Sequence, residues 1–307
     1  MIQPVALELT PLRLTRAEVD AAFMPFAAPQ EAAWDRQYRK RNRRIWRQYL
    51  RRLAFGWRTK SQRNREAVAR EYGNEWLSID YRSYSLDQSP QPSSLWEWGG
   101  RHLLASNRGG TRVRQLLLVR AIEALQPRRV LEVGCGNGIN LLLLAGRFPG
   151  IAFTGVDLTP EGIAAASRLQ EQPILPDYLQ AFAPTPLEDV TAFRRIRFQQ
   201  ADASRLPFRD GEFDLVFTSL ALEQMERLRD QALGEIARVA GAHVFMIEPF
   251  RDSNASGLPR RYIVARDYFQ ARIGDLARHG LQPQWATDDM PQEAFLKACA
   301  VMTEKRR

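Results

Sequence analysis

The stretch VLEVGCGNGINLLLL, residues 130–144, decides how the rest of the chain is read. Three glycines fall at alternate positions, Gly134, Gly136 and Gly138. They separate an apolar run with strand character from a leucine run with helical character. A turn there needs backbone freedom, and a bare backbone lets a ligand approach the main chain directly. Glu132, a carboxylate inside the leading strand, is a further departure from a purely structural pattern.

Outward from the loop, strands and helices alternate. RQLLLVRAIEAL (114–125) is an amphipathic helix, and RRVLEV (128–133) follows Pro127 as a strand. Further strands are expected at IAFTGVDL (151–158), RFQQAD (197–202), FDLVFTS (213–219) and AHVFMIE (242–248). A helix at TPEGIAAASRLQ (159–170) has Thr159 as N-cap and Pro160 at its first position, where a missing N–H costs nothing. Helical spacing also runs through ALEQMERLRDQALGEIARVA (221–240) and DYFQARIGDLARHG (267–280). LQPQWA (281–286) and AFLKACAVMTE (294–304) are expected to form a last antiparallel pair. This alternation predicts an α/β, doubly wound, mostly parallel sheet with helices on both faces.

In such a sheet, ligands bind beyond the carboxyl ends of the strands, the edge where the glycine loop lies. Asp157 ends the second strand, 19 residues after Gly138, and suits hydrogen bonding to ribose hydroxyls. Asp202 ends the third, placed to accept from an adenine amino group. The combination of E-x-G-x-G-x-G with two strand-end acids is far more specific than a glycine loop alone.

With VLEVGCGNG, FTGVDLTPEGIAAA, FQQADASRLPFRDGEFDLVFTSLALEQM and FMIEPF, the chain resembles the class I S-adenosylmethionine-dependent methyltransferases, particularly the small-molecule group related to quinone-biosynthesis enzymes. The likeness covers about residues 111–250, and nothing before about residue 95 contributes. It implies a Rossmann-like, seven-stranded sheet with only the final strand antiparallel, and S-adenosyl-L-methionine as cofactor. Gly134, Cys135 and Gly136 would pass beneath the methionine and ribose, with Glu132 orienting the loop or meeting the ammonium through water. Asp157 would hold the ribose diol, Leu158 would pack on adenine, and Asp202 with the Ala203 N–H would read its edge. Ser219 and Leu220 would lie near the methionyl group. The main rival is a nicotinamide-dependent dehydrogenase, whose G-x-G-x-x-G spacing differs from the one here. A non-catalytic cofactor-binding scaffold is the alternative from a different class.

On the acceptor side, Glu223 follows the fourth strand and is the first candidate for a general base, against a plain role at a helix start. Gln224 stands where the family often has histidine, which weakens any transfer of a base assignment. Glu248, ending the fifth strand, and His102, in WEWGGRHLL before the core, are further catalytic candidates. Cys135 reads as a small filler and His243 as structural, while His279, before a helix-ending glycine, reads as a cation at a helix C-terminus. The insert EQPILPDYLQAFAPTPLEDVTAFRR (171–195) is expected as a lid over adenine, part of the acceptor pocket, or a surface loop.

Two cysteines far apart, Cys135 and Cys299, argue against a disulfide framework and fit a reducing cytoplasm. Three histidines without metal-ligand spacing predict no metal site. No apolar run reaches the roughly 20 residues of a membrane span, and MIQPVALELTPLRLTR lacks the signature of a secretory signal. The net charge of +9 is local: Arg36–Arg70 holds 14 Lys plus Arg and one acid, Glu66, or +13, leaving −4 for the remainder. Residues 34–53 carry a helical pattern with an aromatic and apolar stripe among the arginines.

The expected organisation is therefore a helical, Arg-rich region (1–110) covering the acceptor side, followed by the cofactor-binding domain (111–307). Expected partners are a small-molecule, glycan or lipid-linked acceptor, anionic ones included, and an anionic membrane surface touching Arg36–Arg70 at the inner face. Nucleic acid ranks last, because no binding module for it is recognisable.

Overall fold

The computed structural model describes residues 14–28, 30–55, 65–86 and 94–306. Before the glycine loop come α1 (Arg16–Phe23), β1 (Ala27–Ala28), α2 (Glu31–Phe55) and α3 (Arg65–Leu77). A hairpin of β2 (Ser94–Trp98) and β3 (Arg101–Ala105) follows, then α4 (Asn107–Leu125). The core continues as β4 (Arg129–Val133), α5 (Ile139–Arg147), β5 (Ala152–Asp157), α6 (Pro160–Gln170), α7 (Asp177–Phe182), β6 (Arg197–Gln200) and β7 (Phe213–Ser219). It closes with α8 (Arg229–Val239), β8 (Ala240–Glu248), α9 (Gly257–Arg266), β9 (Leu281–Thr287), β10 (Gln292–Glu293) and β11 (Cys299–Lys305).

Seven strands form one sheet in the order β6-β5-β4-β7-β8-β11-β9. Pairing is parallel from β6 to β8, and only β11 runs against its neighbours, as the resemblance implies. Strand side chains alternate between two apolar layers: Val130, Leu215, Phe217, Phe245 and Ile247 on one face, Leu131, Val133, Val216, Val244 and Met246 on the other. Being covered on both faces explains their near-continuous apolar composition. The strand order reverses at β4, between β5 and β7, opening a crevice at the carboxyl ends of β4 and β7.

The N-terminal region is not solely helical. β2 and β3 pair with each other, with β1 on one side and with β10 on the other, giving a second, four-stranded sheet. The alternation of LWEWGGRHLLA around two glycines is a hairpin signal that the aromatic residues obscured. Because β10 lies late in the chain, this sheet ties the N-terminal region to the C-terminal one, and a boundary at 110 falls inside α4. Residues 267–280 also depart from a single helix: only Ile273–His279 forms a tight turn, ended by Gly280 in the left-handed region.

α2 does not cover the crevice. It packs on α9 and the hairpin through Trp34 and Ile45, both buried. The Arg41 guanidinium lies 4.5 Å from the Phe295 ring centre, and Arg52 pairs with Asp267 at 3.2 Å. Part of the Arg36–Arg70 segment, residues 56–64, lies outside the described residues.

Candidate active site

At the crevice, β4 ends in the glycine loop. Gly134 (φ +79°) and Gly136 (φ +51°) occupy the left-handed region. A Cβ on Gly134 would meet the Ala221 Cβ at 2.3 Å, and one on Gly136 would meet the Trp76 indole at 2.6 Å. Both positions therefore require glycine for conformation and for space. The loop is pinned from three sides. Gly134 and Cys135 donate N–H bonds to the Val156 carbonyl, Tyr81 Oη donates to the Asn137 carbonyl at 2.6 Å, and Gly136 N donates to Asp157 Oδ2 at 2.8 Å.

A cavity of about 820 Å³ opens from this loop, large within the roughly 300–1,000 Å³ of small-molecule sites. Glu132, Gly134, Cys135, Gly136, Asp157, Leu158, Asp202, Ala203, Ser219, Leu220 and Glu223 all line it. Its other walls are Tyr72, Trp76 and Tyr84 from the N-terminal region and Thr111 and Arg114 from α4. Sequence reasoning missed these five. The available signal was the pair Tyr72 and Trp76, four apart and so on one helical face.

Three acids face the glycine-loop half. Asp157 Oδ1 accepts from Thr159 N and Oγ1 at 2.8 and 2.6 Å. Asp202 Oδ1 accepts from Ser204 N and Oγ at 2.9 and 2.8 Å. Glu132 is buried: its Oε1 accepts from Asn140 at 2.7 Å, while Oε2 has no hydrogen-bond partner among the described residues. Burial, reinforced by the charge of Asp157, pushes the Glu132 carboxyl up to about 8. Burial likewise drives the Cys135 thiol well above its ordinary value, which fits a filler and not a nucleophile.

Beyond β7, Leu220 holds φ +55°, a strained conformation for a leucine, fixed by its N–H bond to the Ile247 carbonyl. The chain then makes a short 3₁₀ turn, Leu222–Gln224, so Glu223 does not begin an α-helix. Its side chain is buried, and Gln224 Nε2 donates to Glu223 Oε1 at 2.5 Å.

Two catalytic candidates and the insert sit elsewhere. Glu248 is fully buried and outside the cavity wall; its carboxylate accepts from the backbone N–H groups of Ala221, Leu222 and Glu223. Burial raises it to about 7 despite those bonds. It braces the turn that carries Glu223 and does not line the cavity. His102 stacks flat on Trp34, ring centres 3.8 Å apart, near the exposed tip of the hairpin and outside the cavity lining. The 171–195 insert is neither lid nor pocket wall. Leu175, Leu179, Phe182 and Phe193 are buried in the core, and Phe182 packs edge-on against Phe26 and Tyr84.

Residues 131–245 match the family model described as "Methyltransferase domain". This segment of the chain is therefore similar to a methyltransferase domain. The malonyl-[acyl-carrier protein] O-methyltransferase of Geobacter sulfurreducens is 33% identical to this chain over 154 residues, 50% of each chain. The demethylmenaquinone methyltransferase of Thermus thermophilus is 33% identical over 147 residues, 47% of this chain and 56% of that one. The chain thus spans about half the length of these curated relatives. Among solved structures, the [4+2]-cyclase SpnF superposes with a TM-score of 0.53 at 17% identity, covering 80% of this chain and 97% of that one, a likeness of fold. The residues present fit S-adenosylmethionine, the cofactor that the resemblance of the sequence implies. The glycines give the loop its left-handed turns and let Ala221 and Trp76 pack against it. The acids suit a cationic adenosine derivative, and the orphaned Glu132 Oε2 at the cavity wall suits its ammonium.

Proposed function

We propose that the protein transfers a methyl group from S-adenosylmethionine to an oxygen or nitrogen of a small-molecule, glycan or lipid-linked acceptor. The observation that carries this is the continuity of one cavity. The glycine loop and its acids line one half, while Glu223, Tyr84, Thr111 and Arg114 line the other. Asp157 holds the ribose, Asp202 and the Ala203 N–H meet the adenine edge with Leu158 against its face, and Glu132 takes the ammonium. When bound, the cofactor supplies an electrophilic methyl on a sulfonium. Glu223 accepts the proton that an attacking hydroxyl or amine must lose, held in place by Gln224 and by the turn that Glu248 braces. The walls align the two reactants, which is the main requirement of in-line transfer.

The test is transfer of a labelled methyl from S-adenosylmethionine to a panel of hydroquinones, phenols, carboxylic acids, amines and lipid-linked sugars. Label on oxygen or nitrogen of one class supports the proposal. Label on carbon alone contradicts it. Tight binding of S-adenosylhomocysteine with no transfer to any class favours the non-catalytic scaffold.

We also propose that α2 meets an anionic membrane surface. Near its end Leu50, Leu53 and Phe55 are 54%, 62% and 52% exposed, beside exposed Arg43, Arg44, Arg47 and Arg51. No helix among the described residues is long and apolar enough to cross a membrane. Co-sedimentation with anionic but not neutral liposomes, weakened by salt, supports surface contact. Equal, salt-insensitive binding to both contradicts it.

A further inference from the structure

Arg114 stands on the acceptor side of the cavity in an unusual electrostatic position. It lies on the second turn of α4, half-buried, with Thr111 one turn before it on the same wall. Arg114 Nη2 donates to Thr111 Oγ1 at 2.9 Å. Among the described residues no carboxylate forms an ion pair with it. Glu293 and Glu223 act on it only as more distant charges, and burial lowers the guanidinium from its ordinary value. A guanidinium has five N–H donors, and one is engaged by protein here.

Gly110 packs between Trp96 and Arg114: a Cβ there would clash with the Trp96 indole at 2.4 Å and come within 3.1 Å of Arg114 Nη1. Arg108, one of the other basic residues on this wall, lies with its guanidinium 5.5 Å from the Tyr84 ring centre. Asp157, Asp202 and Glu132 on the cofactor side suit a cation, whereas this side adds Arg108 and Arg114 to the acids Glu75 and Glu223. A half-buried guanidinium with one protein hydrogen bond, facing a cavity, has donors available for a ligand's counter-charge.

We propose that Arg114, seconded by Arg108 and oriented by Thr111, binds a carboxylate or phosphate of the methyl acceptor. This rests on the methyltransferase reading of the cavity and adds the acceptor's chemical class. The acceptor is an organic anion whose hydroxyl or amine is held toward Glu223 while its charge is held at α4. Arginine's planar fork suits both oxyanions.

The probes are inorganic phosphate, followed by phosphorus-31 line broadening, and benzoate, followed by saturation-transfer NMR. Each is titrated into the full chain loaded with S-adenosylhomocysteine, whose own affinity is measured calorimetrically on the same sample. Saturable binding of one probe is expected, with phosphate or benzoate telling which oxyanion the subsite prefers. Arg114→Gln should weaken that probe by roughly tenfold or more, and Arg114→Lys, which keeps charge but loses the fork, by less. S-adenosylhomocysteine affinity should hold within about twofold in both variants, which also shows that they fold. No saturable binding of either probe by the wild-type chain, or binding indifferent to both substitutions, overturns the proposal. Failure to bind S-adenosylhomocysteine with Arg114-dependent anion binding retained would sink the methyltransferase reading and leave the subsite standing.

Discussion

Replacing Asp157 separates two roles that the structure superimposes on one carboxylate. A carboxylate offers about four lone-pair sites. Thr159 N and Oγ1 occupy two on Oδ1, and Gly136 N occupies one on Oδ2. One site remains for a ribose hydroxyl, where the sequence pattern suggests two. Asp157→Ala should therefore cost one charge-assisted hydrogen bond to the ligand, about 1.5–3 kcal/mol or roughly 10- to 150-fold in Kd. It also strips acceptors from the Gly136 and Thr159 N–H groups, lowering unliganded stability by about 1–3 kcal/mol. Calorimetry with S-adenosylhomocysteine reads the first effect, and denaturant unfolding without ligand reads the second. Thr159→Val frees a lone pair on Oδ1, so its affinity should be unchanged or improved. If Asp157→Ala loses stability while keeping wild-type affinity, Asp157 is only a strut for the loop and the ribose assignment fails.

Glu223→Gln should lower the single-turnover methyl-transfer rate about 10²–10⁴-fold with cofactor affinity little changed, and a near-normal rate would end the general-base assignment. Glu132, held at about 8, and Glu248, held at about 7, both lie above their ordinary 4.5, so each binds more protons folded than unfolded. Unliganded stability should accordingly fall as pH rises from about 4.5 through 8, with Glu132→Gln flattening the upper part of the curve. A cationic cofactor favours ionised Glu132, so its binding below pH 8 should release a proton and tighten as pH rises; calorimetry in buffers of different ionisation enthalpy checks this. Trp76→Ala uncovers Gly136 and should weaken S-adenosylhomocysteine by about 1–2 kcal/mol, mainly as faster dissociation in stopped flow. An unchanged off-rate would show that α3 only decorates the loop.

The features legible in the sequence are those set by local spacing. Alternating glycines, strand-end acids and the Thr159–Pro160 helix start depend on residues close in the chain, and their positions at the cavity follow from the parallel sheet. What stayed hidden depends on distant partners. Glu248 looks like a wall residue until the three backbone N–H groups it accepts from, in the turn after β7, are seen. His102 sits near the core in sequence, yet the hairpin turns it onto Trp34. The insert's prolines suggested a loop, while Leu175, Leu179 and Phe182 are buried in the same apolar cluster as residues of α4 and α5. The cover over the glycine loop comes from Trp76 and Tyr81, with the arginine-rich α2 packed on α9. Charge composition could not distinguish those two faces of the N-terminal region.

The central claim is that this cavity is built for a cationic adenosyl cofactor and a second reactant beside it. Calorimetric titration of the purified full chain with S-adenosylmethionine, S-adenosylhomocysteine and NADH tests it most directly. One-to-one binding of both sulfur compounds at micromolar levels is expected, and none of NADH. Tight binding of NADH with no response to either sulfur compound would contradict it.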